Sequence, residues 1–178
     1  SIYQSRTLKM NQIIDLLTSH RSIRKFTYEP VDPDLFTWLV EAAQASASSS
    51  FLQGVTIIRV TDPGKRVALR DVASGQAYVE TAPEFLVFCA DLSRPMRCCR
   101  QHGGTPAEGL TEQFVIATVD AALYAQNLVI AAESAGLGIC YIGALRNDPA
   151  KVTELLNLPL QVYPVFGLCL GHPAQDPE

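Results

Sequence analysis

Residues 111–136, TEQFVIATVDAALYAQNLVIAAESAG, decide how the rest of the chain must be arranged. From Phe114 to Ala135 the stretch is nearly all apolar or small and contains neither Pro nor Gly. Its Ala and Leu content favours helix, Thr111 suits the N-cap, and Gly136 stands just beyond the last turn. Asp120, Gln126, Asn127 and Glu133 interrupt the run, so it is not an unbroken membrane span. At roughly 1.5 Å per residue, such a helix crosses a small domain from side to side. A helix apolar almost all round belongs in a core or an interface. Ala117, Ala121 and Ala125 share one face, where small side chains let another helix approach closely. The stretch predicts a central helix shared with a partner subunit. An ordinary core helix in a monomer is the alternative.

Outward from that helix, 178 residues suit one domain with a substantial core. A hydrophobic fraction of 48% and a positive mean hydropathy favour an apolar subunit interface. A net charge of −4 argues against nucleic acid as a partner, because phosphate backbones need a basic footprint. Five cysteines, an odd number with three in apolar runs, fit the reduced, buried thiols of a cytoplasmic protein. Residues 1–9 carry no signal-peptide core, and Met10 suits a natural start. Residues 1–10 are therefore expected to be an N-terminal extension or vector-derived, with a single domain over 11–178.

Apolar spacing predicts a short helix over 11–19, and Asp32 or Asp34 caps a second over about 34–46. Residues 55–60 read as a strand, 63–73 as a helix, 74–76 as a turn and 84–90 as a buried strand. Residues 91–110 hold Pro95, Gly103, Gly104, Pro106 and Gly109 and predict one long loop of functional character. A strand over 137–143, a helix from Asn147 or Asp148 to about Leu156, and a strand over 162–170 complete the chain. The uneven alternation is α/β or α+β in one domain.

Three segments have chemistry. His20-Arg21-Ser22-Ile23-Arg24 gathers guanidinium, imidazole and hydroxyl within one turn, a set suited to phosphate, although basic clusters are more often a solvated surface. Ser48-Ser49-Ser50 offers hydroxyls and amides to a polyol or phosphate, or is simply a polar loop. Residues 137–144 put small residues at a strand end, where a flat ligand can approach backbone. No GxGxxG or P-loop pattern is present. Cys98-Cys99-x-x-His102 does not complete a tetrahedral metal set, so no metal is expected.

Taken together, HRSIRKF (20–26), SSSFLQ (48–53), GQAYVETAPEFLVFCAD (75–91), AQNLVIAAESAGLG (125–138), YIGALRN (141–147) and FGLCLGHPAQDPE (166–178) resemble the flavin reductase and oxygen-insensitive NADPH nitroreductase family, in its major A-type branch. The resemblance implies an α+β FMN-binding fold, mainly antiparallel sheet flanked by helices around a long central helix, in an intertwined homodimer. It implies that His20, Arg21 and Ser22 hold the FMN phosphate and ribityl chain, and that Arg24 meets the N1/O2 edge of the ring. Gln76 would bond the pyrimidine edge, while Tyr141, Ile142 and Gly143 lie along the ring, with the Gly143 backbone near N5. Ser48, Ser49, Ser50 and Leu52 would reach the flavin of the other subunit. Arg24 and the Gly143 backbone are thus the expected catalytic groups. NADPH or NADH would reduce bound FMN, and a nitroaromatic, quinone or free flavin would take two electrons in a ping-pong sequence.

Two departures accompany the resemblance. This branch runs about sixty residues further, as the resemblance implies, into an arm that completes the phosphate site and binds NADPH. The alternative function is therefore an FMN-binding module with little turnover. Ala144 also stands where the family often has a second Gly.

Overall fold

The computed structural model describes residues 11–175. The expected extension over 1–10 lies outside the described residues, as do the last three residues of the 166–178 block. Strands β1 (Val55–Arg59), β2 (Glu84–Asp91), β3 (Gly138–Ile142) and β4 (Val162–Gly171) form an antiparallel sheet in the order β1-β2-β4-β3. β2 is central and buried throughout, which explains its continuous apolar run. Leu86, Phe88 and Ala90 point into one layer, Phe85, Val87 and Cys89 into the other.

Helix α1 (Gln12–Thr18) is capped by the Asn11 side chain and leads toward the edge of β3. Helices α2 (Pro33–Gln44) and α6 (Thr111–Ser134) cover the first face of the sheet. Helices α3 (Pro63–Val72), α4 (Tyr78–Thr81) and α7 (Pro149–Leu156) cover the second. The α+β arrangement around a long central helix is the one the resemblance implied.

In α6 the expected alanine face is buried, with Ala117, Ala121 and Ala125 in one core cluster with Leu39 and Ala43 of α2. The helix that approaches it is therefore one of this chain's own. Val115, Val119 and Leu123, also four residues apart, leave a second apolar stripe 43–48% exposed. Thr111 is the first helical residue rather than the cap, and the Gln113 side chain instead accepts the Leu110 N–H at 3.2 Å.

Residues 91–110 are not one loop. They contain helix α5 (Ser93–Gln101), started by Asp91, which accepts the Ser93 amide at 2.9 Å and hydroxyl at 2.6 Å. Pro95 lies in the first turn, where a missing N–H costs nothing, so a residue expected to break structure opens a helix. The expected turn at 74–76 runs on into α4, which the sequence reading did not contain.

Candidate functional site

The basic segment does not coil. It runs extended along the outer edge of β3: Ser22 pairs in parallel with Ile139, and the Ile23 N–H donates to the Ile139 carbonyl at 2.8 Å. Beyond it, Thr27 N–H bonds the His172 carbonyl and Ala174 N–H the Lys25 carbonyl, both at 2.9 Å. Gln175 Oε1 accepts the amides of Arg24 at 2.8 Å and Lys25 at 3.2 Å. Burial of Ile23 turns its neighbours Ser22 and Arg24 to the open side. The expectation that His20, Arg21, Ser22 and Arg24 converge within one turn becomes a row along the strand edge.

At the start of that row His20 Nδ1 lies 2.5 Å from Glu133 Oε1 of α6. Arg21 curls back to the carbonyls of Ser19, at 3.2 Å, and His20, at 2.9 Å, at the C-terminal end of α1. At the far end the Tyr78 hydroxyl donates to Gln76 Oε1 at 2.6 Å, and the Arg24 charge acts on the same hydroxyl. Burial raises the Tyr78 pKa, with Cys140 adding and Arg24 pulling back. Cys140 is likewise pushed up by burial and opposed by Arg24.

Tyr141 and Ile142 end β3, and Gly143 opens a 3-10 turn (Gly143–Asn147) whose first amides have no partner within the turn. Ile142 is fully buried, backbone included, and packs into the core layer beneath β3. The Tyr141 ring stands edge-on to Phe166 with centroids 5.0 Å apart, and its hydroxyl donates to Gln126 at 3.3 Å. Burial, reinforced by Glu133, raises its pKa far above that of a free phenol. A Cβ on Gly143 would come within 3.1 Å of the Arg146 guanidinium. That guanidinium is held at 2.6 Å by the Val165 carbonyl, at the residue β4 inserts where its pairing with β2 shifts. Ala144 has no left-handed backbone, so nothing local demands glycine there.

Ser48, Ser49, Ser50 and Leu52 stand apart from this row. Their loop has left-handed backbone at Ser50, Phe51 and Gln53, with φ of 50°, 55° and 51°. Asp120, 3% exposed, holds it: its carboxylate accepts the Ser48 hydroxyl at 2.7 Å, the Gly54 amide at 2.9 Å and the Ser49 amide at 3.4 Å. Arg94 donates to the carbonyls of Gln53 and Val55, both at 2.7 Å. The loop rims a cavity of about 430 Å³ shared with Tyr124. Thirteen helical steps take Asp120 to Glu133, which puts roughly 20 Å between the loop and His20. One chain therefore brings His20–Arg24, Gln76 and residues 141–143 together and leaves residues 48–52 elsewhere.

Sequence reasoning passed over Tyr78, Asp120, Glu133 and Gln175 as site or support residues. Asp120 was visible as a lone acid in an apolar helix, and Tyr78 and Gln175 lie inside quoted blocks. Cys98 Sγ is 3.8 Å from His102 Nδ1, which donates to the Cys98 carbonyl at 2.9 Å. Among the described residues no group of three or more His, Cys, Asp or Glu is placed to hold a metal.

The model of the Nitroreductase family matches residues 17–172. The chain is 48% identical over 167 residues to FMN reductase (NADPH) of Bacillus subtilis, covering 93% of this chain and 67% of that protein. It is 48% identical over 169 residues to the oxygen-insensitive NADPH nitroreductase of Salmonella typhimurium, covering 95% and 69%. The solved structure of NADPH:FMN oxidoreductase from Vibrio harveyi complexed with NAD+ superposes with a TM-score of 0.89 at 48% identity, over 94% of this chain and 71% of that one. The chain thus spans about two thirds of the length of these relatives.

Proposed function

The chain belongs to the nitroreductase family, and from that premise we propose that it is an FMN-dependent NAD(P)H oxidoreductase acting on nitroaromatics, quinones or free flavin. One observation carries the reading. Extended chain from His20 to Arg24 spans about 13 Å, with anion-binding groups at one end and a cation and amide donor at the other. The donor set fits FMN, an anion joined to a flat ring with an acceptor-rich edge.

His20, Arg21 and Ser22 hold the phosphate and ribityl chain. Arg24 and Gln76 face the N1/O2 edge, where the fixed cation favours negative charge on the reduced ring. Tyr141 and Gly143 would line the ring, the Gly143 amide being the donor offered to it, with Ile142 buried behind them. Bound FMN supplies reversible two-electron chemistry, which NADPH or NADH charges and the second substrate discharges. The fold of this chain supplies grip, orientation and charge, and no dedicated side-chain acid or base is assigned. The relatives carry enzyme names, so the binding-module alternative is not favoured.

Ser48, Ser49, Ser50 and Leu52 serve the flavin of a second subunit, because about 20 Å keeps them from the first. The exposed Val115, Val119 and Leu123 stripe supports a homodimer. Glutamate at Val119 should convert dimer to monomer in analytical ultracentrifugation and release FMN with it; a dimeric Val119→Glu protein would place the interface elsewhere. The acidic charge and unpaired cysteines support a cytoplasmic protein that binds neither nucleic acid nor membrane.

The direct test is anaerobic stopped flow with FMN-loaded protein, NADPH and then a nitroaromatic. Fast bleaching and fast recovery of flavin absorbance are expected, whereas bound flavin that bleaches slowly would return the module reading. Arg24→Ala should slow the bleaching at least tenfold while flavin content after dialysis falls less; an unchanged rate removes Arg24 from its role.

A further inference from the structure

We propose that Tyr78 is a positioning residue: it fixes which way Gln76 faces, so that Arg24 and Gln76 present a donor-only edge that binds reduced FMN in preference to oxidised FMN. The inference rests on the FMN reading above and adds a group to which that reading gave no task.

The orientation follows from counting protons. A phenol carries one proton to donate, and the Arg24 cation acts on this one. The single phenolic proton then needs an acceptor, and Gln76 Oε1 lies 2.6 Å away. The carboxamide oxygen of Gln76 is thereby committed to Tyr78, and its NH2 is turned from it. Among the described residues no buried side-chain nitrogen or oxygen lacks a partner, so this NH2, which bonds nothing else there, is open to a ligand. Without the hydroxyl, either end of the carboxamide could face the site.

Tyr78 is itself rigidly placed. Its carbonyl accepts the Cys169 thiol at 3.3 Å, and the next residue, Val79, is fully buried. Arg66 donates to the carbonyls of Val79 at 3.0 Å and Ala82 at 2.5 Å, fastening both ends of the short α4. Locking a carboxamide before the ligand arrives removes the cost of orienting it. A surface of N–H groups alone favours an acceptor edge, and favours it more once that edge carries negative charge.

The test compares FMN binding in its two redox states in the wild-type protein and in Tyr78→Phe, which keeps the ring and removes the hydroxyl. Oxidised FMN affinity is read by quenching of flavin fluorescence and the midpoint potential of bound FMN by anaerobic equilibration with a reference dye. Tyr78→Phe should weaken reduced FMN about tenfold relative to oxidised FMN, the scale of one hydrogen bond to a charged acceptor. The midpoint then moves about 30 mV more negative. Gln76→Glu, which replaces the NH2 by an acceptor of the same shape, should move it further in the same direction. An unchanged potential in either variant, with FMN still bound, overturns the orienting role and leaves the FMN reading standing. A wild-type protein that binds no FMN overturns both.

Discussion

Replacing Asp120 with alanine should lower the melting temperature by about 10 °C and strip bound FMN from the protein, although Asp120 lies on the central helix and outside the basic row. The carboxylate is 3% exposed and collects the Ser48 hydroxyl and the Gly54 and Ser49 amides. Its loss leaves the buried Gly54 amide unpaired, at about 1–3 kcal/mol, along with two part-buried donors that cost less, or about 3 kcal/mol in total. In a domain of this size that is about 10 °C. It also releases a strained loop, since Ser50, Phe51 and Gln53 hold left-handed backbone at about 1 kcal/mol each or more. Such conformations persist when surrounding contacts over-determine them, and here those contacts come from Asp120 and Arg94. The Ser48 hydroxyl, which donates to Asp120 and accepts the Gln53 amide at 2.7 Å, ties the two ends of the loop together. Asp120→Asn should fall between, because a carboxamide accepts one of these bonds but turns its own donors on the rest. Thermal unfolding followed by circular dichroism, with flavin content after dialysis, measures both effects. Wild-type melting and retained flavin in Asp120→Ala would end this account of the loop.

Valine at Gly138 should detach the basic row from the sheet and weaken FMN binding more than tenfold. A Cβ at Gly138 would sit 2.6 Å from Ile23 Cγ1 and 2.8 Å from its Cβ. Ile23 is 8% exposed and β-branched, so it has no soft direction in which to yield. Either the 20–26 segment lifts or β3 shifts. The segment yields first, because β3 is also tied to β4 over five residue pairs, whereas Ser22 and Ile139 form an isolated bridge. The damage therefore falls on His20, Arg21, Ser22 and Arg24 rather than on the sheet. Fluorescence titration of FMN should show the loss while the far-ultraviolet spectrum stays near wild type. Adding Ile23→Ala to Gly138→Ala should recover part of the affinity by clearing two of the three contacts. If the double variant is no better than Gly138→Ala alone, the clash is not the cause.

Local pattern determined much of this protein. The long helix, the buried run of β2, the Pro-led starts of α3 and α7 and the basic segment were all legible, because helical periodicity, a continuous apolar run and capping chemistry are written into neighbouring residues. The residue blocks were sufficient to reach the family. Misreadings arose where a local signal had two meanings. Pro95 marks a loop or a first helical turn, and Asp91, whose side chain accepts the Ser93 amide and hydroxyl at its start, decides which. The alanine stripe of α6 invites any close helix, and it was α2 rather than a partner that filled it.

Only the tertiary structure decided what is joined across long stretches of chain. His20 meets Glu133, the Arg24 amide meets Gln175, and Asp120 meets Ser48 and Gly54, at separations that no spacing rule reaches. It also decided that the basic cluster is a row: a segment held to a strand edge takes the strand's conformation, which sequence neighbours alone do not impose. The basic and hydroxyl residue types of residues 20–24 and 48–52 were present in the sequence. Their placement on two sites about 20 Å apart was set by the sheet edge and by the length of one helix.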